Sequence, residues 1–459
     1  MEREVAWKKY SEQDAQELEG LAAKYIEFIS QNKTERECAT AAIAAAQCAG
    51  YISLEQAIRD GRALKPGDKV WAHTHGKALM LVQLGTKPLT EGLNILGAHI
   101  DSPRLDIKQN PLYEDTDLAY LDTHYYGGVK KYQWVARALA LHGVIVKKDG
   151  ETIDVCVGED ESDPVFCISD LLPHLAQEQM KREASKIIEG EELDIIIGGR
   201  PLAGEEKDAV RANAMRLISE KYGIDEEDLL SAELEVVPAG KARDMGFDRS
   251  MILGYGHDDH VCAYPSMRAA LDFEGTPEYT SCCILTDKEE IGSYGATGMG
   301  SHYFENLVAE LCARVGEYSD LTLRRAIANS RMLSSDVSAG FDPTFASAFE
   351  KKNAAYVGRG LCFNKFTGAR GKSGASDANA EYVAYVRRVL DDANVSYQFA
   401  EMGRVDLGGG GTIAHTCAKY AMNVIDAGVA VLSMHAPAEI ISKADIYEAY
   451  KGYCAFLKV

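Results

Sequence analysis

SCCILTDKEEIGSYGATG, Ser281 to Gly298, runs from a short apolar segment through two adjacent glutamates into a glycine-rich turn. The apolar part, bounded by charge, reads as a buried strand. Glu289 and Glu290 then stand side by side at its end, where each raises the cost of ionising the other. For an isolated Glu-Glu pair a solvated loop would be explanation enough. Here the same layout recurs along the chain, and the recurrence decides the fold.

LNILGAH ends at His99 with Asp101 two residues on. SMILGYGHDD ends at Asp258 and Asp259, SRMLSSD at Asp336, and AGVAVLSMH at His435. From Met251 onward, apolar strand, charged turn and helix alternate, which predicts an α/β sheet. In an open parallel sheet the carboxyl ends of the strands line one crevice, and ligands bind there. Acids and imidazoles converging on that edge are costly unless a cation neutralises them. Two histidines with several carboxylates and no thiolate suit a divalent ion such as Zn, Co or Mn. One carboxylate can bridge two such ions about 3.5–4 Å apart. Strand residues two apart share a face, so Asp101 is expected to accept a hydrogen bond from His99 and fix its tautomer.

Composition sets the limits. With 459 residues, two domains or one domain with a large insertion is expected. A chain 46% hydrophobic and 26% charged is globular, and its net charge of −21 argues against nucleic acid or anionic membrane as partners. No run has the length of a membrane span or a signal peptide. Eleven cysteines, an odd number without a CxxC pair, suggest buried thiols in a reducing cytoplasm.

Residues 12–59 read as two Ala-rich helices, followed by strands at KALMLVQLG and GLNILGAHID. Between about 107 and 251 the texture changes to antiparallel strands with polar turns. LLPHLAQEQMKREASKIIEG and EEKDAVRANAMRLISEKYG read there as helices.

The quoted motifs resemble those of the M18 metallopeptidases, the aspartyl aminopeptidase family of dinuclear-zinc exopeptidases. GAHIDSPRL, GHDDHVCA, DKEEIGS, SSDV and MHAPAE match in order and context. YGGVKKYQWVARALALHGVIV, DLLPHLA and YGIDEEDLLSAELEVV extend the resemblance through the middle of the chain. It implies a mixed-sheet exopeptidase domain formed by 1–106 and 252–459, with an inserted β-rich dimerisation domain at 107–251. It implies two divalent ions, most simply zinc: His99 and Asp336 on one, Glu290 and His435 on the other, and Asp258 bridging. Glu289 would be the general base and Asp101 the partner of His99. It further implies a large homo-oligomer, a dodecamer in known members, with His174 reaching a neighbouring subunit's site.

Two departures bear on substrate. Acid-preferring members read Asp-Met-Ala-His at the fourth ligand, whereas this chain has Asp336-Val337-Ser338-Ala339. They also carry a lysine where GRGLCFNK places Cys362, with Lys365 three further on. The expectation is therefore a neutral or broad preference, with His174 and Lys365 as the residues that would contact substrate.

The resulting reading is an aminopeptidase acting on peptides with a free N-terminus. Its alternatives are an N-acyl-amino-acid deacylase or carboxypeptidase of the same chemistry, and a non-catalytic scaffold. GARGKS lacks the first glycine of a phosphate loop, Phe366 standing there, and is set aside. GGGG at 408–411 is a candidate active-site loop. His73 and His75 read as hairpin histidines, and His257 and His260 as supporting or surface residues.

Overall fold

The computed structural model describes residues 4–459. The chain forms two compact units: Met1–Asp101, Ala242–Met434 and Glu439–Val459 make the first, and Ser102–Lys241 with His435–Ala438 the second. The insertion expected at 107–251 thus corresponds to a unit whose limits fall earlier at both ends.

The first unit is built on a nine-stranded sheet. Its centre is four parallel strands in the order Thr280–Thr286, Leu93–His99, Arg331–Ser334 and Asn423–Gly428. Ala78–Gln83 pairs antiparallel to them on one side, with Lys69–Thr74 antiparallel to it in turn, and Leu361–Asn364 pairs antiparallel on the other. Every residue of Leu93–His99 and Thr280–Thr286 is buried, as expected where both faces of a parallel sheet are covered. Alternation sorts them. Leu96, Ala98, Cys283 and Leu285 pack with the helices Glu12–Gln31, His257–Leu271 and Lys443–Leu457. Leu93, Ile95, Cys282 and Ile284 pack on the other face with Tyr303–Arg314 and Asp320–Ala328.

Local sequence explains the leading elements. The first two helices, Glu12–Gln31 and Glu35–Cys48, each begin at a capping box, Ser11 with Asp14 and Thr34 with Glu37. His73 and His75 sit at the hairpin between Lys69–Thr74 and Ala78–Gln83, as read from the sequence.

Two of the five strand ends fall elsewhere. Met251–Gly254 pairs with Arg243–Met245 and Glu439–Ser442 in a separate three-stranded sheet. Gly256 then turns the chain in the left-handed region, and Asp258 opens a helix. AGVAVLSMH is two pieces: Asn423–Gly428 in the main sheet, then Ala430–Val431 paired with Ser338–Ala339. His435 lies beyond both, at φ 63°.

The second unit is a six-stranded antiparallel sheet. Its first hairpin, Arg104–Asp115 with Leu118–Tyr126, turns at Thr116 and Asp117, both at positive φ (48° and 62°). That is the two-residue turn whose twist suits a hairpin. Of the two helices expected here, Ala209–Tyr222 forms. The segment 171–190 does not; it holds only the short 3-10 turns Gln179–Lys181 and Ala184–Lys186. Leu171, Leu172, Leu175 and Met180 are all exposed, so no packed stripe stabilises a helix there.

Candidate metal centre

Strand register brings the first acids together. Thr286 pairs with His99, and Ser334 with Gly97, so the turns after three parallel strands leave the sheet at one edge. After Thr286 the chain passes Lys288 at φ 66° into the short turn Glu289–Ile291. Asp336 follows Ser334 by two residues and is 8% exposed. Gly428 on the neighbouring strand permits this, because a Cβ there would stand 1.9 Å from the Asp336 carbonyl oxygen.

His99 is the hub. Its Nε2 lies 3.1 Å from Asp258 Oδ1, and its Nδ1 lies 3.0 Å from the Asp101 carbonyl oxygen and 3.3 Å from Asp101 Oδ1. Asp101 is fully buried and does more than face His99. Its Oδ1 accepts the Glu289 amide at 3.1 Å and its Oδ2 the Glu290 amide at 3.2 Å. One carboxylate therefore holds the turn that carries both glutamates. The helix His257–Leu271 supplies Asp258, whose amide donates to Glu439 Oε2 at 3.0 Å, and Asp259, whose Oδ2 accepts the His99 amide at 3.3 Å. The Asp258–Asp259 peptide is cis.

Three overlapping groups each place their ligand atoms within 4.8 Å of one another: His99, Asp258 and Glu290; His99, Glu289 and Asp336; Asp258, Asp259 and Asp336. Five residues predicted from sequence, His99, Asp258, Glu289, Glu290 and Asp336, thus converge, and Asp101 touches them. His435 does not belong to these groups; its Nδ1 lies 3.0 Å from the Gly128 carbonyl oxygen within the second unit. His174 and Lys365 are both exposed, in the second and the first unit respectively. In the sequence Asp259 stands at the end of its motif without an assigned role, and Glu439 is not singled out. The doubled aspartate and the last residue of MHAPAE are the signals that could have found them. His257 and His260 are fully buried, on Tyr25 Oη at 2.7 Å and Cys38 Sγ at 2.9 Å.

The donor set fits a divalent metal. Burial, reinforced by the charges of Glu289 and Asp259, pushes the Asp336 carboxyl well above the usual carboxylate range. Burial likewise raises Asp259, whose Oδ1 is enclosed without a hydrogen-bond partner. Burial alone would lower His99, but Asp101 and Asp258 hold it well above its ordinary value. Such a cluster calls for positive charge, and imidazole nitrogen with carboxylate oxygen is a zinc-type ligand set.

A mixed sheet with this cluster at the edge of its parallel centre is the fold of a metal-dependent exopeptidase. Residues 28–457 match the family model described as Aminopeptidase I zinc metalloprotease (M18). A probable M18 family aminopeptidase 1 of Clostridium acetobutylicum is 59% identical, over 98% of this chain and 97% of the relative. The crystal structure of an M18 aminopeptidase from Thermotoga maritima matches with TM-score 0.95 at 42% identity, covering 100% of each chain. At 20% identity the fold is shared with the S. cerevisiae mApe1 dodecamer, TM-score 0.77, over 95% of this chain and 96% of that one. The chain belongs to the M18 family. It is a metallo-aminopeptidase, a hydrolase of the zinc-dependent class. Among the described residues no helix is long and apolar enough to cross a membrane.

Proposed function

We propose that this chain removes the N-terminal residue of peptides using two divalent ions. His99 and Asp336 would hold one, Glu290 and His435 the other, and Asp258 would be the carboxylate common to both. The observation carrying this reading is the overlap of the three carboxylate–imidazole groups around His99, Asp258 and Asp336. When bound, such ions lower the pKa of a coordinated water and polarise the scissile carbonyl. Glu289 takes the proton of the attacking water on its carboxylate and passes it to the leaving amine. Asp101 holds the turn that aims both glutamates and keeps the His99 ring oriented.

His174 and Lys365 contact substrate, His174 from a neighbouring subunit. The second unit serves dimerisation, and the chain works in the cytoplasm as a homo-oligomer. The dodecameric yeast relative supports the assembly, the exposed Leu171, Leu172, Leu175 and Met180 support an intersubunit role, and eleven free thiols suit a reducing compartment. Ala339, standing where acid-preferring members have histidine, supports cleavage of neutral N-terminal residues.

The test pairs chelation with a substrate panel. Free aminoacyl peptides should be cleaved and their N-acetylated forms spared. Chelation should abolish turnover, and zinc, cobalt or manganese should restore it. Cleavage of blocked peptides, or full activity in verified metal-free protein, would overturn the reading.

A further inference from the structure

We infer that a cavity beside the Glu289–Glu290 turn receives the free carboxylate at the far end of a short peptide substrate. This rests on the aminopeptidase reading and names part of its substrate. The cavity, of about 390 Å³, is lined by Ser293, Tyr294, Ser376, His415, Thr416 and Lys419 among others, a volume in the range of small-ligand pockets.

Position comes first. One wall is the chain directly after Glu290: the Gly292 amide donates to the Glu289 carbonyl at 2.9 Å, and the Ser293 amide to the Lys288 carbonyl at 2.7 Å. The wall is thus tied to the turn that carries the proposed base. At 3.8 Å between consecutive Cα atoms, Gly292 lies within about 8 Å of Glu290. A leaving dipeptide in extended form spans about 7 Å, so the carboxylate of a bound tripeptide reaches this distance.

Chemistry comes second. In a chain of net charge −21, the lining contains no aspartate or glutamate among the described residues. It offers the Lys419 ammonium, the His415 imidazole and three serine or threonine hydroxyls. Lys419 Nζ lies 5.0 Å from the Tyr420 ring centroid and makes no ion pair among the described residues. Ser376 Oγ is buried without a hydrogen-bond partner. A buried hydroxyl left unpaired is costly, and a carboxylate oxygen would accept from it. Tyr294, 81% exposed, offers a ring face to the peptide between the two ends.

The experiment compares Leu-Gly-Gly with its C-terminal amide, on wild type, Lys419→Gln and Ser376→Ala, each with leucine p-nitroanilide as a third substrate. A charge-assisted contact predicts that wild type prefers the free acid by about tenfold in kcat/KM, and that both substitutions bring the ratio towards one. Because the ratio is taken within one preparation, a partly inactive variant still reports it. An acid-to-amide ratio near one in wild type, or one unchanged in both variants, would overturn the inference. So would a Lys419→Gln protein whose altered preference is between Asp- and Leu-p-nitroanilide, since the cavity would then serve the first residue. Failure of wild type to hydrolyse either p-nitroanilide or the free tripeptide would instead remove the aminopeptidase reading itself.

Discussion

Asp101→Asn should cripple turnover while sparing the fold and most of the metal. In the wild-type geometry both Asp101 oxygens accept backbone amides, those of Glu289 and Glu290, and Oδ1 also lies 3.3 Å from His99 Nδ1. Asparagine keeps one acceptor and presents an NH₂ group to the other amide, so one hydrogen bond to a charged, fully buried group becomes a donor facing a donor. Such a bond contributes roughly 1.5–3 kcal/mol. If the loss falls on the position of Glu289 in the transition state, kcat drops roughly 10- to 150-fold. KM should change much less than kcat, because Asp101 acts through the turn that carries Glu289. Steady-state kinetics on leucine p-nitroanilide, with zinc measured by mass spectrometry in the same samples, provides the assay. A variant with full zinc and kcat within twofold of wild type would refute the view that Asp101 aims the turn.

Glu289→Gln should lower kcat by roughly 10²–10⁴-fold with metal content unchanged, whereas Glu290→Gln should lose metal and recover partly when metal is added; the reverse pattern would exchange their roles. Gly428→Ala places a methyl group where the Asp336 carbonyl and Cys262 Sγ stand, 1.9 and 3.0 Å away. It should cost roughly 1–3 kcal/mol of stability and loosen metal, read by thermal denaturation and metal analysis. Asp426 is fully buried, and burial pushes its carboxyl up to about 6 despite hydrogen bonds from Thr412 and Ser334. Its contribution to stability is therefore complete below its unfolded value near 4 and is lost as pH rises through about 6. Asp426→Asn should flatten the fall in unfolding free energy across that window by roughly 3 kcal/mol, and an unchanged pH profile would discount the group.

Much of the site was legible because parallel strands advertise their ends. A run such as LNILGAH or SCCILT must be buried on both faces, so the first charged residue after it marks the sheet edge. His99 and Asp336 stand directly at such ends, whereas Glu289 and Glu290 come after Asp287 and Lys288 and draw attention by their adjacency. Asp258 was found for a partly mistaken reason, since its strand belongs to the three-stranded sheet and the aspartate sits at a helix start. Asp259 is visible in the sequence but carries no role there, because a second acid beside a ligand looks redundant in one dimension; only the fold shows its Oδ2 on the His99 amide. The dual grip of Asp101 on Glu289 and Glu290 joins residues nearly two hundred positions apart, which no local pattern records. The segment 171–190 reads as a helix in the sequence, yet its Leu171, Leu172, Leu175 and Met180 stay half or more exposed in this unit. Periodicity shows that apolar residues could share a face. It does not show that anything covers that face.

The proposed mechanism stands or falls on two divalent ions sharing the Asp258 carboxylate. Zinc counted per subunit in active, extensively dialysed enzyme, alongside an Asp258→Asn variant, decides it. Close to two ions are expected in the wild type, and loss of at least one, with loss of activity, in the variant. A fully active enzyme holding a single ion, or an Asp258→Asn variant retaining both, would contradict it.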